Sequence, residues 1–587
     1  MSRKIIAHLK YLLDQEQGAI IREWGHRWPL ALVYPNLYQV GMSNLGFQAV
    51  YRRLNDHPDL TCERAFLPPW DLWPEYQRTG TPILSLESQR PLRDFAALAF
   101  ALPYEADYPQ VLKILDQAHI PLLADQRGPN FPLILAGGVT TFLNPEPLAP
   151  FMDAFFLGEA EGQVENFFHF LASNLKSSPD RRQVLKALAA NQPGAYVPSG
   201  YQPTYHDDGT LADFIPAPGY PPKVMAQHPP DLEACPCHSQ LLAPGTEFGQ
   251  MFLVEVSRGC GRGCRFCAAG FIYRPPRQRS LAELSRQIDL GLEQRHKIGL
   301  VGAAVSDHPA IHELCQQVVA AGGQLGISSI RADSADRELF DLLAQGGVKT
   351  VALAPEAGSE RLRRVINKGL TEAELNAAVV NLHQAGIPNL RLYFMVGLPT
   401  ETREEVRDMA RLVKRLRHAV TKSGRGRKGL ASLTVSLHSF VPKPFTPFQW
   451  VPFLDLPELK DRIKLVKREL KGSPQVRVHA DLPKWAYIQA LLARGDRRVG
   501  LMLLAAHQAG GNWNQAFRHS PLNPDFFVLR LRDPEELFPW DFIDHGLHKS
   551  YLWEEYQLAL AGKQTPPCDP KVCRRCGVCG SALTSQF

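Results

Sequence analysis

The chain has 587 residues, of which 45% are hydrophobic and 21% charged, and this composition excludes intrinsic disorder and collagen-like structure. The 65 basic and 59 acidic residues leave a formal net charge of +6. The apolar runs fall well short of the roughly 18 residues that a membrane helix needs, and residues 1–17 lack the uninterrupted apolar core of a secretion signal. The sequence therefore predicts a cytoplasmic protein with room for about three or four domains and no membrane partner.

Residues 27–172 alternate short apolar runs with amphipathic stretches, the pattern of a parallel sheet covered by helices. The strands expected here are Leu30–Tyr34, Ala97–Leu102, Leu133–Ala136 and Ala154–Leu157. The helices expected here are Leu45–Leu54, Tyr108–Ala118 and Glu161–Leu171. The pattern predicts a doubly wound, Rossmann-type domain over residues 1–175, in which ligands lie at the carboxyl ends of the strands. Gly137, Gly138 and the segment Gly158–Gly162 fall at those ends.

Residues 176–248 are rich in proline and poor in periodicity, which predicts a connector between domains. From residue 249 to about 450 a βα alternation resumes and repeats six times. Its expected strands are Phe252–Val256, Ile298–Val301, Leu325–Ile330, Thr350–Ala354, Leu390–Val396 and Leu433–Leu437. Six such units predict a partial (β/α)6 barrel whose active face is formed by the carboxyl ends of the strands. A mainly helical domain over 451–565 and a cysteine-rich tail over 566–587 complete the predicted α/β architecture.

Cysteine usage carries most of the functional information. The chain has 11 cysteines, an odd number in a large chain without a predicted signal, which favours metal or redox chemistry over a disulfide framework. Seven of them form two tight clusters. The first is Cys260, Cys264 and Cys267 and the second is Cys568, Cys573, Cys576 and Cys579.

The first cluster has the spacing C-x3-C-x2-C and directly follows the first predicted barrel strand. Gly259, Gly261 and Gly263 let its loop curl tightly. Three thiolates in such a loop can hold three corners of a cuboidal 4Fe-4S cluster. The fourth iron is then open to chelate a substrate or cosubstrate and pass it an electron. Structural zinc is disfavoured, because it needs a fourth ligand.

This motif, with Phe266 before its last cysteine, resembles that of the radical S-adenosylmethionine (SAM) superfamily. The resemblance implies that Cys260, Cys264 and Cys267 hold the catalytic cluster, that its open iron binds SAM, and that reduction yields methionine and a 5′-deoxyadenosyl radical. It also implies an electron donor of the flavodoxin or ferredoxin type. The positions at successive strand ends that it assigns to cofactor binding are Phe266, Ser306, Asp307, Ser328, Arg331, Glu356, Gly397 and Glu401.

The amino-terminal domain is similar to the cobalamin (B12)-binding domains that are fused to many superfamily members, on account of its Gly-Gly turn and the segment Gly158–Gly162. The cobalamin-ligating motif D-x-H-x-x-G is missing, since Asp56-His57 has the wrong spacing. Two interpretations stay open: a domain that binds cobalamin without that histidine, and a degenerate domain that binds substrate or a partner. Nearly the whole chain resembles such fused proteins, and the resemblance implies no particular substrate.

The tail cluster has the spacing C-x4-C-x2-C-x2-C, with four candidate ligands in twelve residues. That density is closer to ferredoxin-type ligation than to a zinc ribbon, which needs a long spacer between its knuckles. A second iron–sulfur cluster and zinc both stay open for this site.

Two functions are open on the sequence alone. The first is a radical SAM iron–sulfur enzyme, with methyl transfer, methylthio transfer or RNA modification as the reactions considered. The second is a metal-stabilised nucleic-acid-binding protein whose cysteine clusters are structural. It would use the run Arg411–Lys428, which has eight basic residues and no acid, to contact phosphates. Only the first function explains why one cluster has three cysteines and not four.

Overall fold

The computed structural model describes residues 1–177, 180–229, 231–328, 330–423 and 429–579. It divides into two compact units. Unit 1 contains residues 1–249, 491–527 and 535–545, and unit 2 contains residues 250–490, 528–534 and 546–587. The segment that the sequence predicts to be a connector lies within unit 1, and the predicted helical domain over 451–565 is shared between the units. No helix of the described residues is long and apolar enough to cross a membrane.

Unit 1 is built on a six-stranded sheet with the order β2-β1-β3-β4-β5-β6. The first five strands are parallel and β6 is antiparallel to β5. The strands are β1 (Trp28–Tyr34), β2 (Leu60–Phe66), β3 (Ala97–Ala101), β4 (Leu133–Gly137), β5 (Ala154–Phe156) and β6 (Ala195–Tyr196). The helices are α1 (Arg3–Asp14), α2 (Tyr38–Gly41), α3 (Leu45–Asp56), α4 (Trp73–Thr79), α5 (Tyr108–Gln117), α6 (Val164–Ser177) and α7 (Arg181–Asn191). This is the predicted doubly wound fold.

The strand β2 is absent from the elements expected from the sequence, because polar residues interrupt its apolar run. Arg64 lies in this strand with no exposed side-chain surface, and it donates to Glu16 Oε2 at 2.6 Å and to Glu87 Oε1 at 2.7 Å. Burying an unpaired guanidinium would cost several kcal/mol, and two carboxylate partners offset that cost. A hairpin of β7 (Tyr201–Tyr205) and β8 (Leu211–Pro216) and the short β9 (Val224–Met225) follow the sheet.

Unit 2 contains the barrel strands, which form two parallel sheets. One has three strands in the order β10-β13-β14, and the other has four in the order β15-β16-β17-β18. These strands are β10 (Phe252–Glu255), β13 (Lys297–Val301), β14 (Gln324–Ile327), β15 (Thr350–Glu356), β16 (Asn389–Val396), β17 (Ser432–Ser439) and β18 (Val476–Ala480). The two-residue strands β11 (Ser257–Arg258) and β12 (Arg277–Gln278) form a separate ribbon. All six predicted barrel strands are present, which confirms the fold class, and β18 adds a seventh parallel strand.

The helices of unit 2 alternate with these strands. They are α8 (Ala269–Ile272), α9 (Leu281–Gln294), α10 (Ile311–Ala320), α11 (Arg337–Gln345), α12 (Glu360–Val365), α13 (Glu372–Gln384), α14 (Arg403–Ser423) and α15 (Leu456–Leu470). Four of them begin at a Ser, Thr or Asp whose side chain accepts a hydrogen bond from the N–H three residues on, which fixes the first helical residue. These caps are Ser280, Asp336, Ser359 and Thr371.

The remaining elements are α16 (Pro483–Arg494), α17 (Arg498–Gln508), α18 (Trp513–His519), α19 (Asp525–Val528), β19 (Ile543–Asp544) and α20 (Lys549–Leu560). Of these, α17, α18 and β19 belong to unit 1, where β19 pairs with β9. The helix α20 belongs to unit 2 and leads into the cysteine-rich tail. The tail thus lies in the same unit as the first cysteine cluster.

Candidate active site

The first cysteine cluster lies on the loop between β11 and α8, beyond the carboxyl end of β10. Gly259 and Gly263 have φ values of +77° and +68°, a left-handed conformation that other residues adopt rarely. A Cβ atom on Gly259 would lie 2.5 Å from the carbonyl oxygen of Tyr273, so no larger residue fits there. These glycines allow the loop to fold back on itself and bring its three cysteines together.

The three thiols of this loop act on one another electrostatically. Burial raises the pKa of Cys267 to about 11, and the neighbouring Cys264 adds to this effect. Burial also raises the pKa of Cys260. The N–H groups of Arg262 and Gly270 oppose these shifts by hydrogen bonding to Cys260 and Cys267, respectively. Such thiols become strong ligands when a metal displaces their protons, and backbone N–H groups that face sulfur suit an iron–sulfur cluster.

Three of the predicted cofactor residues lie together beside this loop. Arg262 of the loop donates to both carboxylate oxygens of Asp307, at 2.7 and 2.8 Å, and to Asp333 at 3.0 Å. Arg331 pairs with the same Asp333 at 3.0 Å. The backbone N–H of Arg331 donates to Ser306 Oγ at 3.0 Å. Asp307 and Arg331 therefore hold the cluster loop in place through a chain of charge-assisted hydrogen bonds.

Glu356 lies at the carboxyl end of β15 in a strained conformation. Its φ is +66°, and the register of β15 shifts between Leu353 and Glu356. Non-glycine residues with positive φ are uncommon and concentrate at functional sites. Lys368 Nζ donates to Glu356 Oε1 at 3.4 Å, and the charge of Lys368 lowers the pKa of Cys267. The carboxylate of Glu356 thus connects through Lys368 to the cysteine loop.

Two further predicted residues, Ser328 and Phe266, are at least partly exposed. Ser328 is exposed at the end of β14, and its hydroxyl lies 3.4 Å from the carbonyl oxygen of Gly302 at the end of β13. Phe266 is half-buried in the cysteine loop. The neighbour of Ser328, Ser329, lies outside the described residues.

The turn after β16 is braced by a buried carboxylate. Gly397 has a φ of +92°, and its N–H donates to Glu401 Oε2 at 2.8 Å. Arg462 Nη1 donates to the same oxygen at 2.8 Å. The Glu401 side chain has no exposed surface, and burial raises its pKa to about 7 against the opposing effects of Gly397 and Arg462. Glu401 therefore shapes this turn from inside the unit and presents no group to a ligand.

Two important side chains near the loop were not found from the sequence. Arg265, between two cluster cysteines, is fully buried and pairs with Glu555 of α20 at 3.1 Å. Asn367 donates to Gly263 O at 3.1 Å and to Thr565 O at 3.2 Å. Both tie the cysteine loop to the carboxyl-terminal segment, and partners so far apart along the chain leave no local sequence signal.

The glycine turns of unit 1 pack against the chain itself. Gly138 has a φ of +110°, and a Cβ atom there would lie 2.8 Å from Leu102 O. Gly158 has a φ of +119° and forms a β-bridge with Gln227, whose carbonyl oxygen would lie 2.2 Å from an added Cβ atom. The sequence suggested that these glycines let the backbone approach cobalamin closely. In the structure they let it approach other backbone segments of unit 1.

A cavity of about 220 Å³ lies near the ends of β1 and β2, below the roughly 300–1,000 Å³ that is usual for drug-sized ligands. The residues that line it include His8, Leu37, Tyr38, Phe66 and Tyr76. This one cavity is too small for a corrin, and we derive no step through cobalamin.

Two of the five basic residues that the structure describes in the run Arg411–Lys428 form ion pairs with acids. Arg411 donates to Glu404 at 2.6 Å and to Asp408 at 3.0 Å. Arg415 forms two hydrogen bonds with Glu372, at 2.5 and 2.8 Å. Residues 424–428 lie outside the described residues. The acids in these pairs lie on α13 and in the first turns of α14. The net positive charge around Arg411 and Arg415 is therefore smaller than the sequence of the run suggests.

A loop of three cysteines at the carboxyl edge of a parallel partial barrel is the architecture of an enzyme that holds an iron–sulfur cluster with one open iron. Two family models match the chain: "Radical SAM proteins, N-terminal" over residues 46–198 and "Radical SAM superfamily" over residues 254–413. The matches cover more than half of the chain and include the whole cysteine loop. The chain belongs to the radical SAM superfamily and is an enzyme, which overturns the alternative of a protein with purely structural cysteine clusters.

Individual relatives differ in how much of the chain they match. The uncharacterized protein MJ0966 of Methanocaldococcus jannaschii is 29% identical over 81% of this chain and 90% of its own length. The tRNA-2-methylthio-N(6)-dimethylallyladenosine synthase of Methylococcus capsulatus is 27% identical over 29% of this chain and 40% of its own. Among solved structures, the radical SAM methyltransferase TsrM from Kitasatospora setae, with cobalamin and a [4Fe-4S] cluster bound, covers 70% of this chain at 14% identity with a TM-score of 0.45.

Proposed function

We propose that this enzyme holds a 4Fe-4S cluster on Cys260, Cys264 and Cys267, cleaves SAM reductively there, and transfers a methyl or methylthio group to RNA. The observation that carries the cleavage step is the cysteine loop itself, in which three thiols converge beside strand ends and leave the cluster one iron without a cysteine. When bound, the cluster supplies one electron, and SAM then separates into methionine and a 5′-deoxyadenosyl radical that abstracts hydrogen from substrate.

The side chains around the loop have distinct tasks in this proposal. Arg262 and its partners Asp307 and Asp333 fix the cysteine loop beside the strand ends, where the loop would hold the cluster. The strained Glu356 and its partner Lys368 place an ionic pair beside Cys267, where it can meet the amino and carboxylate groups of SAM. A preorganised polar site of this kind binds its ligand without the cost of rearranging side chains.

The choice of RNA and of group transfer rests on the relatives. The tRNA synthase of Methylococcus capsulatus matches only 29% of this chain, and that relative acts on tRNA by its name. Methyl and methylthio transfer both need a second SAM molecule as methyl donor, because the SAM that is cleaved reductively leaves as methionine with its methyl group in place. Methylthio transfer also needs a sulfur donor, whereas methyl transfer needs no further reactant. A flavodoxin- or ferredoxin-like electron donor and a cytoplasmic location stay predictions.

The turn after β16 provides a test that does not touch the cluster ligands. In Gly397→Val a β-branched residue must adopt a left-handed φ, at a cost of about 1–2 kcal/mol, and its Cβ atom would lie 3.2 Å from Leu454 Cβ. We expect SAM affinity to fall by about tenfold, which corresponds to about 1.4 kcal/mol, with iron content unchanged. Equilibrium dialysis with labelled SAM measures this.

The matched control is Gly386→Val, because Gly386 has a φ of +88° with nothing within 4 Å of an added Cβ atom. It carries the same backbone strain at the end of α13, away from the strand ends. Glu401→Ala, which removes the brace of Gly397, should weaken SAM binding in the same direction. Wild-type affinity in both Gly397→Val and Glu401→Ala would place the SAM site elsewhere.

The group-transfer proposal is tested with SAM that carries a deuterated methyl group. The anaerobically reconstituted enzyme is incubated with reductant and separate pools of RNA and of protein from a cell extract, and each pool is digested and analysed by mass spectrometry. We expect the label in a nucleoside of the RNA pool. Label in the protein pool alone would overturn the RNA assignment, and 5′-deoxyadenosine formation without label transfer to either pool would overturn group transfer.

A further inference from the structure

The four tail cysteines face one another in a segment that is docked onto unit 2. Cys576 and Cys579 are buried, with 3% and 5% of their surface exposed. Burial raises the pKa of Cys568 to about 11, and Cys573, Cys576 and Cys579 act on it electrostatically. Gly577 has a φ of +94°, and an added Cβ atom there would lie 2.5 Å from the ring of His548. The tail therefore has a defined fold around its thiols.

The sequence left two metals open for these thiols, zinc and an iron–sulfur cluster, and either can take four cysteine ligands. Zinc has no redox chemistry, whereas a 4Fe-4S cluster transfers electrons. The surroundings of the four thiols therefore distinguish the two metals, because only a redox centre gains a use from lying beside the first cluster.

The tail contacts the first cysteine loop directly. The N–H of Cys568 donates to Gly261 O at 2.6 Å, within the loop that carries Cys260 and Cys264. A Cβ atom on Gly261 would lie 3.0 Å from Cys568 O, so the two segments touch at their backbones. Asn367 bonds to Gly263 O on one side and exchanges hydrogen bonds with Thr565 on the other. Only Gly261 and one hydrogen bond lie between the backbones of Cys260 and Cys568.

A buried cation lies between the two cysteine clusters. Arg274 donates to Gly270 O, just after the first cluster, at 2.7 Å. Its side chain also hydrogen-bonds to Cys576 and acts on Cys568. A positive charge beside a cluster favours its reduced form, because reduction adds negative charge.

The outer side of the tail is accessible to another protein. Cys573 is only partly buried, and the neighbouring Lys571 and Arg574 are exposed. These cations suit the approach of an acidic partner. Cys573 thus has exposed cations as chain neighbours, and Cys568 contacts the loop of Cys260.

We propose that Cys568, Cys573, Cys576 and Cys579 bind a second 4Fe-4S cluster through which an acidic, one-electron protein donor reduces the cluster at Cys260. The donor loses one electron, the tail cluster gains it and then loses it to the first cluster, where it is consumed in breaking the sulfur–carbon bond of SAM. This inference rests on the proposed function, because the electron has a use only if the first cluster cleaves SAM.

The test compares the full-length wild type with Cys573→Ser, and Cys315→Ala on α10 is the matched control for loss of a thiol. Iron and zinc are measured by mass spectrometry after anaerobic reconstitution, and 5′-deoxyadenosine formation is driven in parallel by dithionite and by reduced flavodoxin. We expect about eight irons per chain in the wild type and control, and about four in Cys573→Ser. The ratio of the flavodoxin-driven rate to the dithionite-driven rate should fall at least tenfold in Cys573→Ser alone.

Electron paramagnetic resonance of the reduced wild type gives a second readout that needs no variant, and two distinct cluster signals are expected. Zinc in the tail with about four irons and a single signal would overturn the second cluster while the proposed function stands. Eight irons with an unchanged rate ratio in Cys573→Ser would overturn the relay. A protein that binds iron but forms no 5′-deoxyadenosine with either reductant would overturn the proposed function itself.

Discussion

Replacing Cys260, Cys264 or Cys267 with alanine is expected to reduce 5′-deoxyadenosine formation to the level of a protein-free control. Each thiol holds one corner of the cluster, and the loop offers no substitute ligand. A cluster with two open irons loses its defined potential and its single SAM-binding position. Dithionite, SAM and each reconstituted variant are combined anaerobically, and the products are quantified by liquid chromatography.

The control for this experiment is Cys315→Ala, since Cys315 is a buried cysteine of α10 that belongs to neither cluster. It should form 5′-deoxyadenosine at the wild-type rate. If any one of the three loop variants kept wild-type production, the loop would not be the catalytic cluster site.

The second large effect is expected from Arg265→Met, on stability. The Arg265 side chain has no exposed surface and pairs with Glu555, which is 2% exposed. It also donates to Val365 O and Lys563 O, each at 2.9 Å. Methionine fills a similar volume but leaves the Glu555 carboxylate buried without its main cation, and breaking such a pair typically costs about 3–5 kcal/mol. Urea unfolding followed by circular dichroism should show a correspondingly lower free energy of unfolding.

Arg286→Met is the comparison for this effect. Arg286 pairs with Glu283 at 2.7 Å, but its side chain is 58% exposed, so its loss should cost less than about 1 kcal/mol. Equal stability of Arg265→Met and Arg286→Met would mean that the buried pair does not hold α20 to the cysteine loop.

The cysteine loop was predictable from the sequence because its ligands are close together along the chain and depend on local glycines. The same holds for the glycine turn at Gly397. The contacts that tie the cysteine loop to the carboxyl-terminal segment were not predictable. Arg265 pairs with Glu555, 290 positions away, and Asn367 pairs with Thr565, 198 positions away. The sequence assigned Glu401 to cofactor binding but could not show that its carboxylate is buried against Arg462, a partner from a distant helix.

Strands were predictable where most of their residues are apolar. The strand β2 was missed because Glu63 and Arg64 interrupt it, although the sheet buries both with partners from other segments. The strand β18 was missed although its residues alternate between exposed and half-buried positions, which is itself a strand signal. The burial of β2, in contrast, depends on ion pairs that only the folded chain brings together.

The most direct test of the account is the electron paramagnetic resonance spectrum of the reduced, reconstituted enzyme before and after addition of SAM. A cluster held by Cys260, Cys264 and Cys267 with one open iron should bind SAM at that iron, so its signal should change on addition and 5′-deoxyadenosine should form as the electron is consumed. An identical spectrum with and without SAM, together with no 5′-deoxyadenosine, would contradict the assignment of this loop as the catalytic centre.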